Sequence, residues 1–528
     1  MIRFRSKKPI RRTGSGVPPS AKPVDEKLTC DLEANLEHFQ KLTGNSPDFI
    51  IRKLYTGIEN PVKTAVAYLD SMVNTDAVNN LVMRSLLGDS SREATAKETT
   101  AEGIFRLLQE RALTVGEIKE YQEWKQLMNA VLSGDTLIFV DGCDRIIGCS
   151  TRGGESRTVS EPTTQNVVRG PKDAFVESLF TNVALIRRRI KSTDLALEML
   201  QVGETTLTNV ALLYMKTIAD ENTVDEVRRR VNDINIDAIF ESGTVEELVQ
   251  ERRLTPFPTI YNSERPDTVA SNLLEGRIVL IVDGSPFVLV MPAVFAHFFQ
   301  SAADYAERYD LATALRLLRY VCFIILVLGP SLYIAFTTFH YEMIPTPLLI
   351  SILAQRETVP FPAFLEAVLL ESTFEIMREA GIRMPRLVGQ TVSIAGAVVL
   401  GQAAVQAGIV TPLLTIVVAI TGIASFAIPS YNMANAGRLF RFGFMVLAAL
   451  FGLYGLALGL ITLVAHLTSL KSFGVNYMSP FSPFDLNGQK DTIFRLPAWK
   501  MKKRPHMTSS KNMRRARGGS SSAEGQES

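Results

Sequence analysis

The stretch LVGQTVSIAGAVVLGQAAVQAGIVTPLLTIVVAITGIASFAIPSYNMANAG, Leu387 to Gly437, contains no Asp, Glu, Lys or Arg across 51 positions. A charge-free run of this length requires a lipid bilayer or a very large protein core. It is more than twice the ~20 residues that one helix needs to cross the hydrocarbon layer. Gly408-Ile-Val-Thr-Pro412 supplies a turn within it. We therefore predict two membrane spans, near 390–408 and 412–430.

Two shorter stretches without Asp, Glu, Lys or Arg lie on either side of this run. Tyr320 to Tyr341 and Phe442 to Leu470 comprise 22 and 29 residues, and each is long enough for one membrane helix. They predict spans near 320–341 and 443–468. The Gly329-Pro330 pair inside the first of them predicts a kink. Residues 311–475 are thus predicted to form an α-helical transmembrane bundle of about four spans.

Both ends of the chain are basic and polar. The N-terminus MIRFRSKKPIRR leads into a Gly-, Pro- and Ser-rich segment, so we expect no cleaved secretory signal and a disordered basic extension over residues 1–45. Residues 476–528 are rich in Lys and Arg and predict a disordered cytoplasmic tail near anionic lipid. The formal net charge of only +2 argues against a nucleic-acid binder.

Two cytoplasmic ends require an even number of spans. We predict a multi-pass membrane protein with four spans, whose N-terminal domain and C-terminal tail are cytoplasmic. This topology puts Arg438 and Arg441 in an outside loop, against the positive-inside tendency. The segment 341–386 offers room for a fifth span, an alternative that the residues leave open.

The N-terminal half contains two copies of one pattern. Thr64–Leu69 and Thr208–Tyr214 both read as buried strands, and each precedes a turn and a capped helix start, at 73–82 and 220–228. The copies also end alike, in Gly134-Asp-Thr-Leu-Ile-Phe-Val-Asp-Gly142 and Gly276-Arg-Ile-Val-Leu-Ile-Val-Asp-Gly284. Asp-Gly between apolar runs predicts hairpins with tight type I′ turns. We predict tandem α/β soluble subdomains over 46–150 and 173–310, joined by a linker over 151–172.

No catalytic or cofactor-binding motif is found in either copy. The sequence contains no Walker loop, no strand-associated G-x-G-x-x-G and no H-E-x-x-H. Its five histidines and four cysteines do not have metal-ligand spacing. Asp141 and Asp283 are interpreted as turn formers. We predict a protein that is not an enzyme and has no cofactor or metal.

Small residues recur at helical spacing in the predicted spans and are candidates for helix packing. On the opposite face of the second span, two amides one turn apart need partners away from lipid. They would hydrogen-bond another helix or line a wet passage, and both interpretations stay open, as do packing within one subunit and an oligomer interface. The candidate packing residues are Gly389, Ser393, Ala397, Gly401, Gly455 and Gly459, and the candidate pore-lining residues are Val398, Gln402 and Gln406.

The segment after the first span is rich in proline and glutamate. Four glutamates, Glu366, Glu371, Glu375 and Glu379, lie on a helix-like stretch, and the last three share one face. The favoured interpretation is an interfacial helix with a solvated acidic face. The sharper hypothesis is an acidic vestibule that attracts cations to a pore.

Several short motifs, taken in order, resemble the A-subunit family of spore germination receptors, the GerA family of spore germination proteins. The resemblance runs from about Ile50 to Pro483, and Ser285 stands where many relatives are expected to have Thr. The motifs are Leu274-Glu-Gly-Arg-Ile-Val-Leu-Ile-Val-Asp-Gly-Ser-Pro-Phe287, Glu264-Arg-Pro-Asp267, Phe299-Gln-Ser301, Glu379-Ala-Gly-Ile-Arg-Met-Pro385, Val392-Ser-Ile-Ala-Gly396, Gly401-Gln-Ala-Ala404 and Ala427-Ile-Pro-Ser-Tyr431.

The resemblance implies a non-enzymatic protein of the spore inner membrane that helps nutrients to trigger germination. It implies a transporter-like B subunit and a lipoprotein C subunit as partners. It also implies a homo-oligomeric ring around a cation pathway, in contact with membrane lipids. The alternatives are a signal-relaying branch of the same family, a membrane scaffold and a secondary transporter.

Overall fold

The computed structural model describes residues 28–56, 61–87, 100–109, 117–153, 161–251, 254–384, 401–486, 488–501, 503–504 and 511–515. The chain divides into two compact units. Unit 1 comprises Met1–Leu42 and Phe49–Gly154, and unit 2 comprises Thr43–Asp48 and Glu155–Ser528. Unit 2 contains the second soluble subdomain, here called subdomain 2, and the long helices.

Unit 1 is an α/β layer structure around an antiparallel sheet of order β1-β2-β4-β5-β3. Along β4 the side chains alternate: Leu137 and Phe139 join one apolar core, and Ile138 and Val140 join the other. The sheet is therefore covered on both faces. Its strands are β1 (Phe49–Thr56), β2 (Val62–Leu69), β3 (Ile118–Tyr121), β4 (Asp135–Val140) and β5 (Ile146–Ser150), and its helices are α1 (Leu32–Thr43), α2 (75–87), α3 (Ala101–Leu107) and α4 (Trp124–Val131).

Subdomain 2 repeats this topology with the strand order β6-β7-β9-β10-β8. The same strand order in both sheets confirms the predicted tandem α/β architecture. The strands are β6 (Leu195–Val202), β7 (Thr208–Met215), β8 (Tyr261–Ser263), β9 (Ile278–Val282) and β10 (Val288–Met291); the helices are α5 (Leu179–Arg189), α6 (Glu221–Asn232), α7 (Ser242–Val249), α8 (Pro266–Leu274) and α9 (Ala303–Ala306), with a 3-10 turn at Phe295–Phe299.

The duplication extends to single hydrogen bonds. In unit 1, Asp141 Oδ1 accepts a hydrogen bond from the backbone N–H of Leu32, the first residue of α1, at 3.2 Å. In subdomain 2, Asp283 Oδ1 accepts one from Leu179, the first residue of α5, at 3.1 Å. Each Asp-Gly pair thus caps the first helix of its own copy.

The predicted type I′ turns are wrong. Such a turn needs a positive φ at both central residues. Gly142 and Gly284 have φ of 87° and 88°, whereas Asp141 and Asp283 do not have a positive φ. The loops are also longer than predicted, since residues 141–145 and 283–287 connect the paired strands.

The second half of the predicted linker lies against subdomain 2. Glu264 Oε1 accepts hydrogen bonds from the hydroxyl of Thr164 at 2.7 Å and from the backbone N–H of Gln165 at 3.1 Å. These bonds hold the pKa of Glu264 below its usual value although burial opposes them. Residues 163–165 are therefore a fixed part of unit 2.

The remainder of unit 2 is helical. Two of its helices, α10 (Tyr309–Thr338) and α15 (Tyr431–Ser469), are long and apolar enough to cross a membrane. At 1.5 Å per residue, the 15 residues of α14 span about 22 Å, less than the ~30 Å of a hydrocarbon layer. The helices are α10 (Tyr309–Thr338), α11 (Thr346–Arg356), α12 (Ala363–Arg383), α13 (Gly401–Gln406), α14 (Pro412–Phe426) and α15 (Tyr431–Ser469), followed by the short strands β11 (Lys471–Ser472) and β12 (Val475–Asn476).

The chain reverses direction inside α15, at Gly452. This residue has φ 56° and ψ −139°, which is not helical. Beyond it, a Cβ on Gly455 would lie 2.3 Å from the carbonyl oxygen of Leu447, and one on Gly459 would lie 2.8 Å from the ring of Phe444. A continuous helix separates residues 444 and 459 by about 22 Å. The single span predicted over 443–468 is therefore wrong, and α15 is a hairpin of two arms, 431–451 and 453–469.

Both arms of the α15 hairpin contact subdomain 2. Phe440 in the first arm stacks on Phe257 with ring centroids 5.0 Å apart. His466 in the second arm hydrogen-bonds Thr255 at 2.9 Å. The tip at Gly452 instead approaches His340, just beyond the far end of α10. The reversal therefore places Arg438 and Arg441 in the first arm, which contacts subdomain 2 through Phe440.

The predicted disordered tail does not begin at residue 476. Tyr477 is fully buried, and its carbonyl accepts a hydrogen bond from the N–H of Phe295 at 2.8 Å. The segment then follows the start of α10 in the opposite direction. The contacts pair Phe481 with Tyr320, Asp491 with Arg316, Arg495 with Thr313, and Trp499 with Tyr309.

The reversal predicts a severe effect of Gly452→Ala. The positive φ is strained for any residue with a Cβ, and this Cβ would lie 2.8 Å from the ring of His340. We expect a loss of about 1–3 kcal/mol in the free energy of unfolding, measured as a lower thermal midpoint in detergent. The control is Gly443→Ala in the first arm, where an added Cβ meets nothing within 4 Å, and where alanine favours the helix. Equal midpoints for the two variants would contradict the hairpin.

Candidate functional site

Of the candidate pore-lining residues, Val398 falls outside the described residues, as do the packing candidates Gly389, Ser393 and Ala397. The other two pore candidates, Gln402 and Gln406, lie on α13 and are exposed. Within the described chain we find no hydrogen bond from either amide. A Cβ on the neighbouring Gly401 would meet no described atom within 4 Å. This face of α13 is therefore not covered by described helices of the same chain.

The other two packing candidates are placed differently. Gly455 and Gly459 lie in the second arm of α15, against Leu447 and Phe444 of the first. The absence of side chains allows the arms to approach closely. These two glycines therefore allow the two arms of α15 in one chain to pack against each other.

Glu366 is buried and caps a helix. Its Oε1 accepts hydrogen bonds from the backbone N–H and, at 2.6 Å, from the hydroxyl of Thr411, the residue before α14. A carboxylate at this position compensates the unpaired N–H groups and positive dipole end of the helix. Thr411 Oγ1 also lies 3.0 Å from the hydroxyl of Tyr333, so the start of α14 lies beside the distal part of α10.

Two further glutamates of α12 form ion pairs inside the helical region, which we call the bundle cluster (Glu371, Glu375, Arg378 and Arg441). Arg441 Nη1 lies 3.0 Å from Glu371 Oε2, and its Nη2 lies 2.8 Å from Glu375 Oε1. Arg378 binds the second oxygen of Glu375. The side chains of Arg441 and Glu371 are both 0% exposed. Arg441 thus joins the first arm of α15 to α12.

These contacts correct the interpretation of α12 as an interfacial helix with a solvated acidic face. Glu366 and Glu371 are buried among helices, and Glu375 is largely covered. Only Glu379 is mainly exposed, and it pairs with Arg383 one turn further along α12. Of the four carboxylates in the acidic-vestibule hypothesis, only that of Glu379 is mainly exposed in this chain.

A second cluster lies where α10 meets subdomain 2, which we call the root cluster (Asp304, Arg316, Arg319 and Asp491). Arg316 Nε and Arg319 Nη1 each lie 2.8 Å from Asp304 Oδ2. Arg316 Nη1 lies 2.9 Å from Asp491 Oδ1. The side chains of Arg316 and Asp304 are 0% exposed. Subdomain 2, the first long helix and the C-terminal segment therefore meet at one guanidinium.

Next to the root cluster, subdomain 2 contains a cavity of about 500 Å³, lined in part by Tyr261, Glu275, His297 and Tyr305. Burial and the neighbouring Arg277 hold the pKa of His297 well below its usual value. Burial also raises the pKa of Glu275. His297 is therefore neutral at pH 7. Tyr305 donates a hydrogen bond to Asp491 Oδ2 at 3.0 Å and so connects the cavity wall to the root cluster.

Comparison with known proteins identifies the family. The model of the Bacillus/Clostridium GerA spore germination protein family matches residues 37–507. The chain belongs to the GerA family. The earlier resemblance is thereby confirmed, and the protein has a role in spore germination.

GerA relatives match most of the chain. Spore germination protein KA of Bacillus subtilis (strain 168) is 48% identical over 91% of this chain and 87% of its own length. Spore germination protein GerLA of Bacillus cereus is 36% identical over 91% and 97%. Among solved structures, the N-terminal domain of the A subunit of the Bacillus megaterium spore germinant receptor GerK3 is 39% identical, covers 52% of this chain and 98% of its own, and has a TM-score of 0.41.

Neither charge cluster was predicted from the sequence of this GerA protein. Arg316 and Arg319 lie less than two helical turns before the apolar run of α10. Arginines at this position are the local signal from which a buried anchor at the span boundary could have been predicted. Asp491, in contrast, lies in the predicted tail, 175 positions from Arg316. No periodicity in either segment indicates that they meet.

Proposed function

We propose that this GerA protein is the A subunit of a nutrient germinant receptor in the spore inner membrane. It acts with a transporter-like B subunit and a lipoprotein C subunit, and several copies form an ion pathway that triggers germination. Family membership over most of the chain supports the receptor assignment. The exposed amides of Gln402 and Gln406 carry the pathway assignment, because they lie in a charge-free segment without a described partner.

The direction of each helix supports a topology of six crossings in place of four. α10 leads away from subdomain 2, and α14 returns, since its start contacts Tyr333 and its end at Phe426 shares a cavity with Arg319. α12 also returns, from Glu366 beside Thr411 to Glu375 beside Arg441. Because α12 and α14 both return, the proposed count includes one further outward crossing, and the arms of α15 add two crossings.

Six crossings keep both ends of the membrane region on the side of subdomain 2. The count stays even, as the sequence analysis required, and the proposed cytoplasmic side now holds Arg438 and Arg441. Their position therefore agrees with the positive-inside tendency. Cysteine labelling from outside should reach a reporter at Tyr454, which is 67% exposed next to the reversal, and leave one at the exposed Asn476 unlabelled.

An ion pathway lined by Gln402 and Gln406 is consistent with their chemistry. An amide offers both a carbonyl oxygen and an N–H without the cost of a full charge in the membrane. Repetition of these side chains around an oligomer axis would form polar rings of the kind found in channels. Val398, four positions before Gln402 in the sequence, belongs to the same proposed lining.

We expect the Gln402→Leu/Gln406→Leu variant to reduce conductance of the purified oligomer in planar bilayers. An added barrier of ~1.4 kcal/mol reduces a rate about tenfold, and this is the expected change. The control is Thr462→Val, at an exposed hydroxyl whose only described bond is to its own arm of α15. Val398→Ala should cause unprompted monovalent ion release from spores.

The same measurements separate the competing functions. Unchanged conductance in the double variant would remove the two amides from the pathway. Absence of any conductance in the intact oligomer would favour a scaffold, and saturable coupled flux would favour a transporter. Genes for B and C subunits beside this one would distinguish the nutrient receptor from the signal-relaying branch.

A further inference from the structure

Several large apolar side chains are exposed on the C-terminal segment, and the two most exposed lie only two positions apart. Phe484 and Leu486 are 70% and 71% exposed. They lie in the turn that follows Phe481, in the sequence Ser479-Pro-Phe-Ser-Pro-Phe-Asp-Leu486, which we call the Phe484 loop (residues 481–486). Loops in water are usually polar, so paired exposed apolar residues indicate a contact surface.

The Phe484 loop begins at the boundary between the charged and apolar parts of α10. The ring of Phe481 lies 6.4 Å from that of Tyr320, the first residue of the charge-free stretch. At this level α10 exposes Leu317, Leu318 and Val321. The start of the loop therefore lies at the level where α10, a helix long and apolar enough to cross a membrane, begins its charge-free stretch.

The loop is held in place by its own turn and by the root cluster. The N–H of Asp485 donates to the carbonyl of Pro480 at 3.1 Å, and the N–H of Gly488 donates to Asp485 Oδ2 at 3.2 Å. Three residues later, Asp491 binds Arg316. These bonds fix the base of the loop next to α10 while its two apolar side chains remain outside the protein.

Trp499 provides a reference for depth. Its ring contacts Tyr309, which lies 11 positions before Tyr320 on α10. This separation is about 16 Å along the helix axis. The headgroup layer on each side of a bilayer is only ~5–7 Å thick, so Trp499 lies in water when Tyr320 lies at the membrane surface.

We propose that Phe484 and Leu486 insert into the interfacial layer of the bilayer that α10 crosses, and so anchor the C-terminal segment to phospholipid. This inference rests on the membrane topology proposed above. Phe and Leu are among the side chains that interfacial segments bury ~5–10 Å into the boundary between headgroups and acyl chains. The anchor connects the lipid surface to Asp491, and through Arg316 to the start of α10.

Depth-dependent fluorescence quenching tests this proposal on the full chain. The protein has two tryptophans, and Trp124→Phe with Trp499→Phe removes both. Phe484→Trp in this background places one reporter on the loop. In nanodiscs of phospholipids brominated near the headgroup, we expect its emission to fall by at least half relative to unbrominated lipid, as for a residue at the interface.

Two matched reporters complete the experiment. The Trp124→Phe protein retains only Trp499 and should show almost no quenching by brominated lipid. Ile324→Trp in the tryptophan-free background marks the exposed apolar face of α10, and should be quenched by bromines deep in the acyl chains. Failure of the Ile324 reporter would contradict the membrane topology itself, independently of the loop.

Quenching of Ile324→Trp without quenching of Phe484→Trp overturns the lipid anchor. Accessibility to aqueous iodide then identifies the reason. A loop reporter that iodide reaches lies in water, and one that neither iodide nor bromine reaches is covered by protein, such as a second copy of the chain. Each reporter variant is compared only when its thermal midpoint matches that of the parent protein.

Discussion

Replacing Arg441 with glutamine is expected to reduce the free energy of unfolding by about 3–5 kcal/mol. The guanidinium binds Glu371 and Glu375, and both Arg441 and Glu371 are fully buried. Glutamine cannot neutralise the remaining carboxylate, so a buried charge loses its partner. The contact between α12 and the first arm of α15 would weaken with it. The thermal midpoint of the purified protein in detergent measures the change.

The matched control is Arg383→Gln at the end of the same α12. Arg383 also pairs with a glutamate, Glu379, but both side chains are mainly exposed. Exposed pairs contribute at most about 1 kcal/mol. Adding Glu371→Gln to Arg441→Gln removes the uncompensated charge and should recover part of the stability. Similar midpoints for the Arg441 and Arg383 variants would contradict the buried bundle cluster.

Replacing Arg316 with glutamine is expected to release the C-terminal segment from α10. Arg316 bridges Asp304 and Asp491, at 2.8 Å and 2.9 Å. Arg319 still compensates Asp304 in the variant, so we expect a cost near the lower end of the range for a broken buried pair, about 3 kcal/mol. Hydrogen exchange should accelerate in residues 477–501, because their hold on the start of α10 is lost.

Arg308→Gln is the control for the root cluster. Arg308 precedes the same helix and pairs with Asp310 at 3.0 Å, with both side chains largely exposed. Its loss should leave exchange in the C-terminal segment unchanged. Asp491→Asn should reproduce the Arg316 phenotype in weaker form, since the pairing of Asp304 survives. Unaltered protection of residues 477–501 in Arg316→Gln would show that other contacts hold the segment.

The soluble fold was predictable because its signals are local. Buried strands such as Thr208–Tyr214 and the repeated Asp-Gly pairs indicated two α/β copies, and the two sheets have the same strand order. The turn type was not predictable. Asp141 and Asp283 bind the starts of helices more than 100 positions away, and such a partner leaves no trace in the dipeptide.

The helical region was predictable in composition but not in path. The hydropathy of Phe442–Leu470 predicts a segment that is not exposed to water. It does not predict which glycine of α15 has a non-helical φ: Gly452 does, whereas Gly443, Gly455 and Gly459 lie within the two helical arms. The charged residues were misplaced for a related reason. Glu371 and Arg441 are separated by 70 positions. The neighbours of Glu371 on α12 alone predict a carboxylate that faces water.

The reversal at Gly452 also has a consequence for biosynthesis. The second arm of α15 has 17 residues, 453–469, and contains no Asp, Glu, Lys or Arg. A segment this short is a weak insertion signal by itself. In the proposed topology it needs no orientation signal of its own, because the positive-inside tendency of Arg438 and Arg441 in the partner arm would set the direction for both arms. In that topology, two arginines added at the tip, with Arg438 and Arg441 left in place, would oppose this orientation of the hairpin during synthesis.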